Sequence, residues 1–277
     1  MQDRNIPELR QRAHAIRWNI VRMIGVSQKG HLGGSCSIAD VVAALYFSKM
    51  RHNPADPRWP DRDRFLLSKG HAALVQYAAL AECGYIPREE LARVKVLGGM
   101  LQGHPDLKTT PGIEANTGSL GQGLSIACGI AAALRLDRRD CKVYCVIGDG
   151  ELAEGQIWEA AMAASAFKLE NLIAILDCNR IQATGPVAER LDTNPYPEKF
   201  RAFGWQVTEI DGHDMEMILE ALDWADETKE KPKLIIAHTI KGAGISFAEN
   251  QAAFHNNSLT QEQYEAACHE LSAKPAT

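Results

Sequence analysis

Lys142-Val143-Tyr144-Cys145-Val146-Ile147-Gly148-Asp149-Gly150 is an apolar, β-branched run that ends on an acid between two glycines. Such a short run reads as a strand buried on both faces, the kind found in parallel sheets. Apolar residues at helical spacing follow over 154–167. Leu172-Ile173-Ala174-Ile175-Leu176 then reads as a second buried strand, continued by Asp177-Cys178-Asn179-Arg180-Ile181. Asp149 and Asn179 therefore stand at the carboxyl ends of two strands joined by a helix, where open α/β sheets bind ligands. A carboxylate and an amide oxygen are hard donors for Mg²⁺ or Ca²⁺, ions that commonly complete their shells with phosphate oxygens. The flanking glycines let the backbone come close to a bulky anion. The stretch predicts a parallel sheet with a metal–diphosphate site on its carboxyl edge.

Outward from this pair the alternation continues. Helices are predicted over 7–28, with Pro7 in the first turn and Gly30 beyond the end, and over 38–50, with Ser37 as N-cap. A short strand over 64–68 leads into a helix over 71–83. The stretch from Gly98 to Gly118 lacks periodicity and reads as ordered loop over the sheet's carboxyl edge. An Ala-rich helix over 120–136 precedes the central pair. Strands over 205–210 and 233–237, with a helix over 214–225, complete the set. The expected class is α/β, a doubly wound parallel sheet flanked by helices. A single domain spans 1–277, with 260–277 as a tail that starts helical and frays at Lys274-Pro275.

A net charge of -5 gives no electrostatic basis for binding nucleic acid. No apolar run approaches the ~20 residues of a membrane span. Met1-Gln2-Asp3-Arg4 lacks the pattern of a signal peptide. The seven cysteines show no CxxC pairing and read as reduced thiols. These features predict a cytoplasmic protein with neither nucleic acid nor membrane as partner.

Histidine follows glycine four times, at Gly30-His31, Gly70-His71, Gly103-His104 and Gly212-His213. The first three fall at helix starts or in loops, where an imidazole can face a ligand. His14, His52 and His269 read as ordinary surface or core side chains. Imidazoles can ligate a transition metal, or they can bond phosphate and substrate hydroxyls and move protons. The spacings match no compact zinc pattern, which favours the second use. Thr239-Ile240-Lys241-Gly242-Ala243-Gly244 follows the last strand, so Lys241 either meets a phosphate as a point charge or sits in a plain exposed turn. Gly118-Ser119-Leu120-Gly121-Gln122-Gly123 lacks both the GxGxxG order and a preceding strand, which argues against a nicotinamide site. Glu154 opens the helix behind Asp149 and reads as complementing the helix dipole unless a partner surface meets it.

In these residues the chain closely resembles the transketolases, and in particular the separate amino-terminal subunit of a split transketolase. The matching stretches are Lys29-Gly30-His31-Leu32-Gly33-Gly34-Ser35, Asp63-Arg64-Phe65-Leu66-Leu67-Ser68-Lys69-Gly70-His71-Ala72 and Gly103-His104-Pro105. Further matches are Thr117-Gly118-Ser119-Leu120-Gly121-Gln122-Gly123, Gly148-Asp149-Gly150-Glu151-Leu152-Ala153-Glu154-Gly155, Asp177-Cys178-Asn179-Arg180-Ile181 and Thr239-Ile240-Lys241-Gly242. Gly-Asp-Gly with a later Asn is shared by thiamine diphosphate enzymes generally. The histidine-bearing segments are the transketolase part.

The resemblance implies a thiamine diphosphate-binding fold, with thiamine diphosphate and Mg²⁺ (or Ca²⁺) as cofactors. It also implies transfer of a two-carbon ketol unit from a ketose to an aldose. Asp149 and Asn179 would ligate the metal through side chains, and Ile181 through its carbonyl. His71, Gly150 and Lys241 would hold the diphosphate, with Asn179 and His255 also at the cofactor and Gly118 and Leu120 against its rings. His31, His71, His104 and His255 would bind substrate hydroxyls and assist proton transfers as near-neutral imidazoles. Glu154 would sit at a subunit contact, coupled to the acid that activates the cofactor. His255 stands in Phe254-His255-Asn256-Asn257, where the family commonly has Trp-His-Gly-Lys, so Asn256 and Asn257 are expected to alter what the channel accepts.

Set against full-length transketolases, the resemblance contains no pyrimidine-binding or carboxyl-terminal domain. It implies a separately encoded carboxyl-terminal partner that carries them, in an α₂β₂ heterotetramer acting on sugar phosphates. Ordinary, branched and sulfonated sugars all stay open. Two other readings stand beside this one. The α subunit of a 2-oxo-acid dehydrogenase is opposed by His71 in its segment and by the 118–122 string. A non-catalytic cofactor-binding subunit is opposed by the intact Asp149/Asn179 pair.

Overall fold

In the computed structural model, which describes residues 5–26 and 28–272, the opening run is an inner strand of a five-stranded sheet, beside its central strand. The strands in chain order are β1 (Arg64–Leu67), β2 (Val143–Gly148) and β3 (Leu172–Cys178), then a separate small hairpin of β4 (Ile181–Gln182) and β5 (Gly185–Pro186), then β6 (Gln206–Asp211) and β7 (Lys233–His238). Their spatial order is β1-β2-β3-β7-β6, and every pairing within the sheet is parallel. This is the doubly wound sheet the sequence predicts.

The helices are α1 (Ile6–Ile24), α2 (Leu32–Cys36), α3 (Ala39–Ala44), α4 (Ala73–Cys83), α5 (Gln122–Leu136), α6 (Gly155–Ala166), α7 (Tyr196–Ala202), α8 (Met215–Glu227) and α9 (Gln261–Ser272). On β2, Tyr144 and Val146 enter the apolar layer under α1, α3, α4, α8 and α9, whereas Val143, Cys145 and Ile147 enter the layer under α5, α6 and α7. Successive strand side chains point to opposite faces. Because both faces are buried, these strands read as unbroken apolar runs rather than as alternating ones. Alanines 127 and 131 let α5 sit close to the sheet. In the β2–β3 register Gly148 pairs with Asp177, which puts Asp149 and Asn179 just past the same paired edge.

Several boundaries differ from expectation, each for a local reason. The first helix stops at Ile24, not at 28, because Gly25 adopts φ 54° and returns its N–H to Val21 O. The predicted helix over 38–50 is α3 followed by a π-helical turn, Leu45–Lys49. Ser37 caps neither. Because α2 runs directly up to it, its backbone is already helical, and its hydroxyl donates instead to the buried Asp177 at 2.6 Å, with Gly34 O 3.2 Å away. A 3₁₀ turn, Gly70–Ala72, precedes α4. Sequence reasoning missed α2, α7 and the β4–β5 hairpin, all short elements in glycine- or proline-bearing segments. Of the predicted tail, α9 packs through Ala267 and Leu271. Lys274-Pro275 and Met1-Gln2-Asp3-Arg4 lie outside the described residues. No helix among the described residues is long and apolar enough to cross a membrane.

Candidate functional site at the carboxyl edge of the sheet

Parallel strands bring all their carboxyl ends to one edge, and here each strand end carries polar residues. β1 leads into Ser68-Lys69-Gly70-His71, β2 into Asp149, β3 into Asn179, β7 into Thr239-Ile240-Lys241 and β6 into Gly212-His213. A cleft of about 370 Å³ opens over this edge. It is lined by His31, Lys69, His71, Gly118, Leu120, Asp149, Gly150, Asn179, Ile181, Lys241 and His255, among others.

The floor of the cleft is acidic and hard. Asp149 is 3% exposed and accepts hydrogen bonds from Gly150 N, at 2.7 Å, and from Arg180 N. Arg180 itself takes a left-handed φ of 65°. Burial, and next the charge of Asp177, push the Asp149 carboxyl up to about 6. Asn179 Nδ2 donates to Asp177 Oδ2 at 3.0 Å, which assigns the amide oxygen to the other side, where it accepts from Ile181 N at 3.2 Å. Ile181 O faces the cleft and accepts from Lys241 Nζ at 2.8 Å. One carboxylate, one amide oxygen and one carbonyl suit a hard divalent cation that takes phosphate oxygens as further ligands. A cation beside Asp149 would also favour its charged form against the cost of burial. Among the described residues no three His, Cys, Asp or Glu side chains gather as they would around a softer metal.

Beneath the floor lies the fully buried Asp177. It accepts from Lys69 Nζ, from Ser37 Oγ at 2.6 Å, from Asn179 Nδ2 and from Thr239 Oγ1. Burial would raise its pKa, but the Lys69 charge and these donors hold it below the usual carboxylate range. Lys69 also donates to Gly34 O at 2.8 Å. Glu151 ties three segments together in the same manner: it accepts from Ser68 Oγ at 2.5 Å, Gly121 N at 2.8 Å and Gly148 N at 3.1 Å. Lys69, Asp177 and Glu151 all stand inside the matched motifs, yet sequence reasoning assigned them no role. The available signal was a charge placed directly after an apolar strand, where only a partner makes burial tolerable.

The wall is made of imidazoles. Ring centroids of His31 and His71 are 5.0 Å apart, those of His71 and His255 5.1 Å, and those of His31 and His255 5.3 Å. Burial and then Lys95 lower His31 to about 4; burial and then Lys69 lower His71 to about 2; burial and then Lys241 lower His255 to about 3. Near-neutral imidazoles are therefore not what the fold provides. The rings are held uncharged, as hydrogen-bonding groups, by burial and neighbouring ammonium groups. Lys241 is 2% exposed, lowered to about 8 by burial and then by Lys69, and lies 3.2 Å from His255 Nδ1. It is no exposed turn.

Two predicted site residues stand outside the lining. His104 reaches the cleft through Gly118, whose φ is 134°; a Cβ there would come within 2.5 Å of His104 Cδ2. Burial and Lys95 lower the His104 pKa as well. Glu154 is exposed at the start of α6, makes no side-chain cap bond to that helix, and lies against Gly121. His52 is an ordinary core histidine, bonded to Tyr46 O at 2.7 Å and Tyr85 Oη at 3.1 Å. His14 is bonded to Leu271 O.

Residues 9–277 match the family model described as transketolase, thiamine diphosphate binding domain. A 6-deoxy-6-sulfo-D-fructose transketolase subunit SqwG from Clostridium sp. (strain MSTE9) is 46% identical over 269 residues, which cover 97% of this chain and 98% of that one. One of the subunits of an apulose-4-phosphate transketolase from Phocaeicola vulgatus is 43% identical, covering 93% and 92%. Among solved structures, transketolase from Campylobacter jejuni superposes with a TM-score of 0.91 at 35% identity, over 99% of this chain and 44% of that chain. The chain thus spans nearly the whole of the subunit relatives, and less than half of the full-length transketolases.

Proposed function

Because this chain belongs to the transketolase family, we propose that it is the diphosphate-binding subunit of a two-chain transketolase, moving a two-carbon ketol unit from a ketose to an aldose. The observation that carries the reading is the pairing of the Asp149–Asn179–Ile181 oxygen floor with the imidazole wall in a single cleft. Relatives matched over more than 90% of their length are themselves named subunits, which supports a separate partner chain.

When bound, thiamine diphosphate supplies the carbanion and electron sink for breaking and making the carbon–carbon bond. This chain's residues hold and orient it. Asp149, Asn179 and the Ile181 carbonyl would hold Mg²⁺ or Ca²⁺, and Lys241, His71 and the Gly150 backbone would meet the diphosphate. Gly118 and Leu120 would lie against its rings. A bound anion favours the charged forms of Lys241 and of the three packed imidazoles. Loading the site therefore raises the wall's basicity toward the range in which His31 and His255 can move substrate protons, with His104 behind Gly118 as a further substrate-binding imidazole. Glu154 is exposed beside an α6 face that also exposes Met162, which supports a role for it at the contact with the second subunit of an α₂β₂ assembly. The two subunit relatives are named for ketoses bearing a sulfonate or a phosphate, and we extend an anionic ketose donor to this chain.

The test is a ketose panel given to the chain co-purified with its partner, with an aldose acceptor present. Formation of a ketose two carbons longer than the acceptor supports the reading. Pyruvate decarboxylation without any ketol transfer refutes it.

A further inference from the structure

The fourth glycine–histidine pair lies at the carboxyl end of β6, outside the cleft. His213 Nε2 accepts the backbone N–H of Ile240 at 2.9 Å. That assigns the ring proton to Nδ1, which donates to Asp40 Oδ2 at 2.8 Å. Asp40 is also held by the Arg17 guanidinium, with Nη1 at 3.0 Å from Oδ1. Arg17 Nη2 reaches Cys36 O at 3.3 Å, at the end of α2. His31 is the N-cap of that helix, and Gly33 O within it accepts Gly242 N at 3.0 Å. Arg17, Asp40 and His213 thus join the two segments that present His31 and Lys241 to the cleft.

We propose that His213 is a positioning residue for the cofactor site, holding Ile240 through its ring so that the adjacent Lys241 ammonium stays over the cleft. The inference rests on the functional reading above. The physical need is plain. Lys241 is a cation buried among Lys69 and neutral imidazoles, and with a loose backbone its long chain would turn out to water. The neighbouring residues of the loop are already fixed: Thr239 by its hydroxyl on Asp177, Gly242 by Gly33. Lys241 O accepts Asn250 N at 2.9 Å and Gly244 N donates to Glu249 Oε1 at 2.9 Å, while on the strand side of Lys241 the Ile240 amide is tethered by the His213 side chain. Groups that orient a binding residue from behind typically change affinity by about 10- to 100-fold when removed.

The experiment compares wild type, His213→Gln and His213→Phe, each as the full chain co-purified with its partner. Gln carries an acceptor to the place of Nε2; Phe fills the space without one. Hydrogen–deuterium exchange is read at 239–244, and thiamine diphosphate affinity is read by calorimetry in Mg²⁺. The expected result is slow Ile240 exchange in wild type, and faster exchange at 239–244 with about tenfold weaker binding in the Phe variant. Gln should recover most of both, and turnover at saturating cofactor should stay within about twofold. Fast Ile240 exchange in wild type overturns the proposal without any variant. So does a Phe variant that binds within twofold of wild type, or a Gln variant as impaired as Phe. If wild type binds no thiamine diphosphate, the functional reading fails instead, and the exchange arm still decides whether His213 holds the loop.

Discussion

The floor and the wall of the cleft are built on opposite electrostatic terms. The floor keeps negative charge in a buried place: Asp177 is ringed by Lys69, Ser37, Asn179 and Thr239, and Asp149 by two backbone N–H groups. The wall keeps its imidazoles uncharged, since burial and the nearby ammonium groups of Lys95, Lys69 and Lys241 disfavour protonation of His31, His71 and His255. The floor sits on strand ends, where the β2–β3 register fixes spacing to a residue. The wall comes from α2, the turn before α4 and the segment around Phe254, brought together only by tertiary packing. In the proposed reading a cation–diphosphate pair would lie between them, the cation against the floor's oxygens and the anion toward Lys241 and the wall.

The largest expected effect is on the floor's foundation. Lys69→Met leaves Asp177 buried without its cation and should cost about 3–5 kcal/mol of stability, read by urea unfolding. The double variant Lys69→Met/Asp177→Asn should recover part of that stability without restoring cofactor affinity. A single variant as stable as wild type would break the claim that the pair underlies the floor.

Next, Asp149→Asn removes a charged hard ligand and should weaken metal-dependent thiamine diphosphate binding about 100-fold, about 2.7 kcal/mol, with the fold retained. By contrast His104→Ala, on the wall side, should leave cofactor affinity within about twofold and lower kcat/KM for the ketose donor by about 10-fold or more. Equal losses of affinity in the two variants would erase the distinction between floor and wall.

The smallest effect near neutrality is that of pH, and its sign separates the two regions. The wall imidazoles have folded pKa values of about 2 to 4, below the unfolded value of 6.5, so stability present above pH 6.5 is lost as pH falls toward 4. Asp149 has a folded value of about 6, above its unfolded 3.8, so its contribution is present at acid pH and lost as pH rises from about 4 through 6. Unfolding midpoints should therefore drop on acidification from pH 6.5 to 4, and drop further in Asp149→Asn, where the opposing contribution is gone. A midpoint that rises on acidification in the wild-type chain would contradict the neutral-imidazole wall.

This division also explains what was legible in the sequence. Strand ends announce themselves: apolar runs that lead into Asp149 and Asn179 give both the parallel sheet and the oxygen donors proposed for a metal. Of the cleft-lining histidines, His31 and His71 are legible as glycine–histidine pairs and Lys241 as a lysine after the last strand, whereas His255 follows Phe254 and is reached only through the resemblance. Lys69, Asp177 and Glu151 were present in the motifs, but their roles depend on partners 83 to 108 residues away, which spacing along one strand cannot supply. The neutrality of the imidazoles was hidden for the same reason, since burial and the approach of Lys95, Lys69 and Lys241 are tertiary facts. Ser37 misled because Ser before an apolar stretch is a common N-cap, and only the preceding α2 turns its hydroxyl inward. The glycine–histidine pair at His213 differs from the others only in where β6 ends.

The central claim is that the floor binds a metal–diphosphate and the rest of the cleft is organised around it. Thiamine diphosphate titrated calorimetrically into the chain co-purified with its partner, in Mg²⁺ and again in EDTA, tests it most directly. Saturable one-to-one binding per copy of this chain is expected in Mg²⁺, and its loss in EDTA. Equal affinity in the two buffers, or no binding in Mg²⁺, would contradict it.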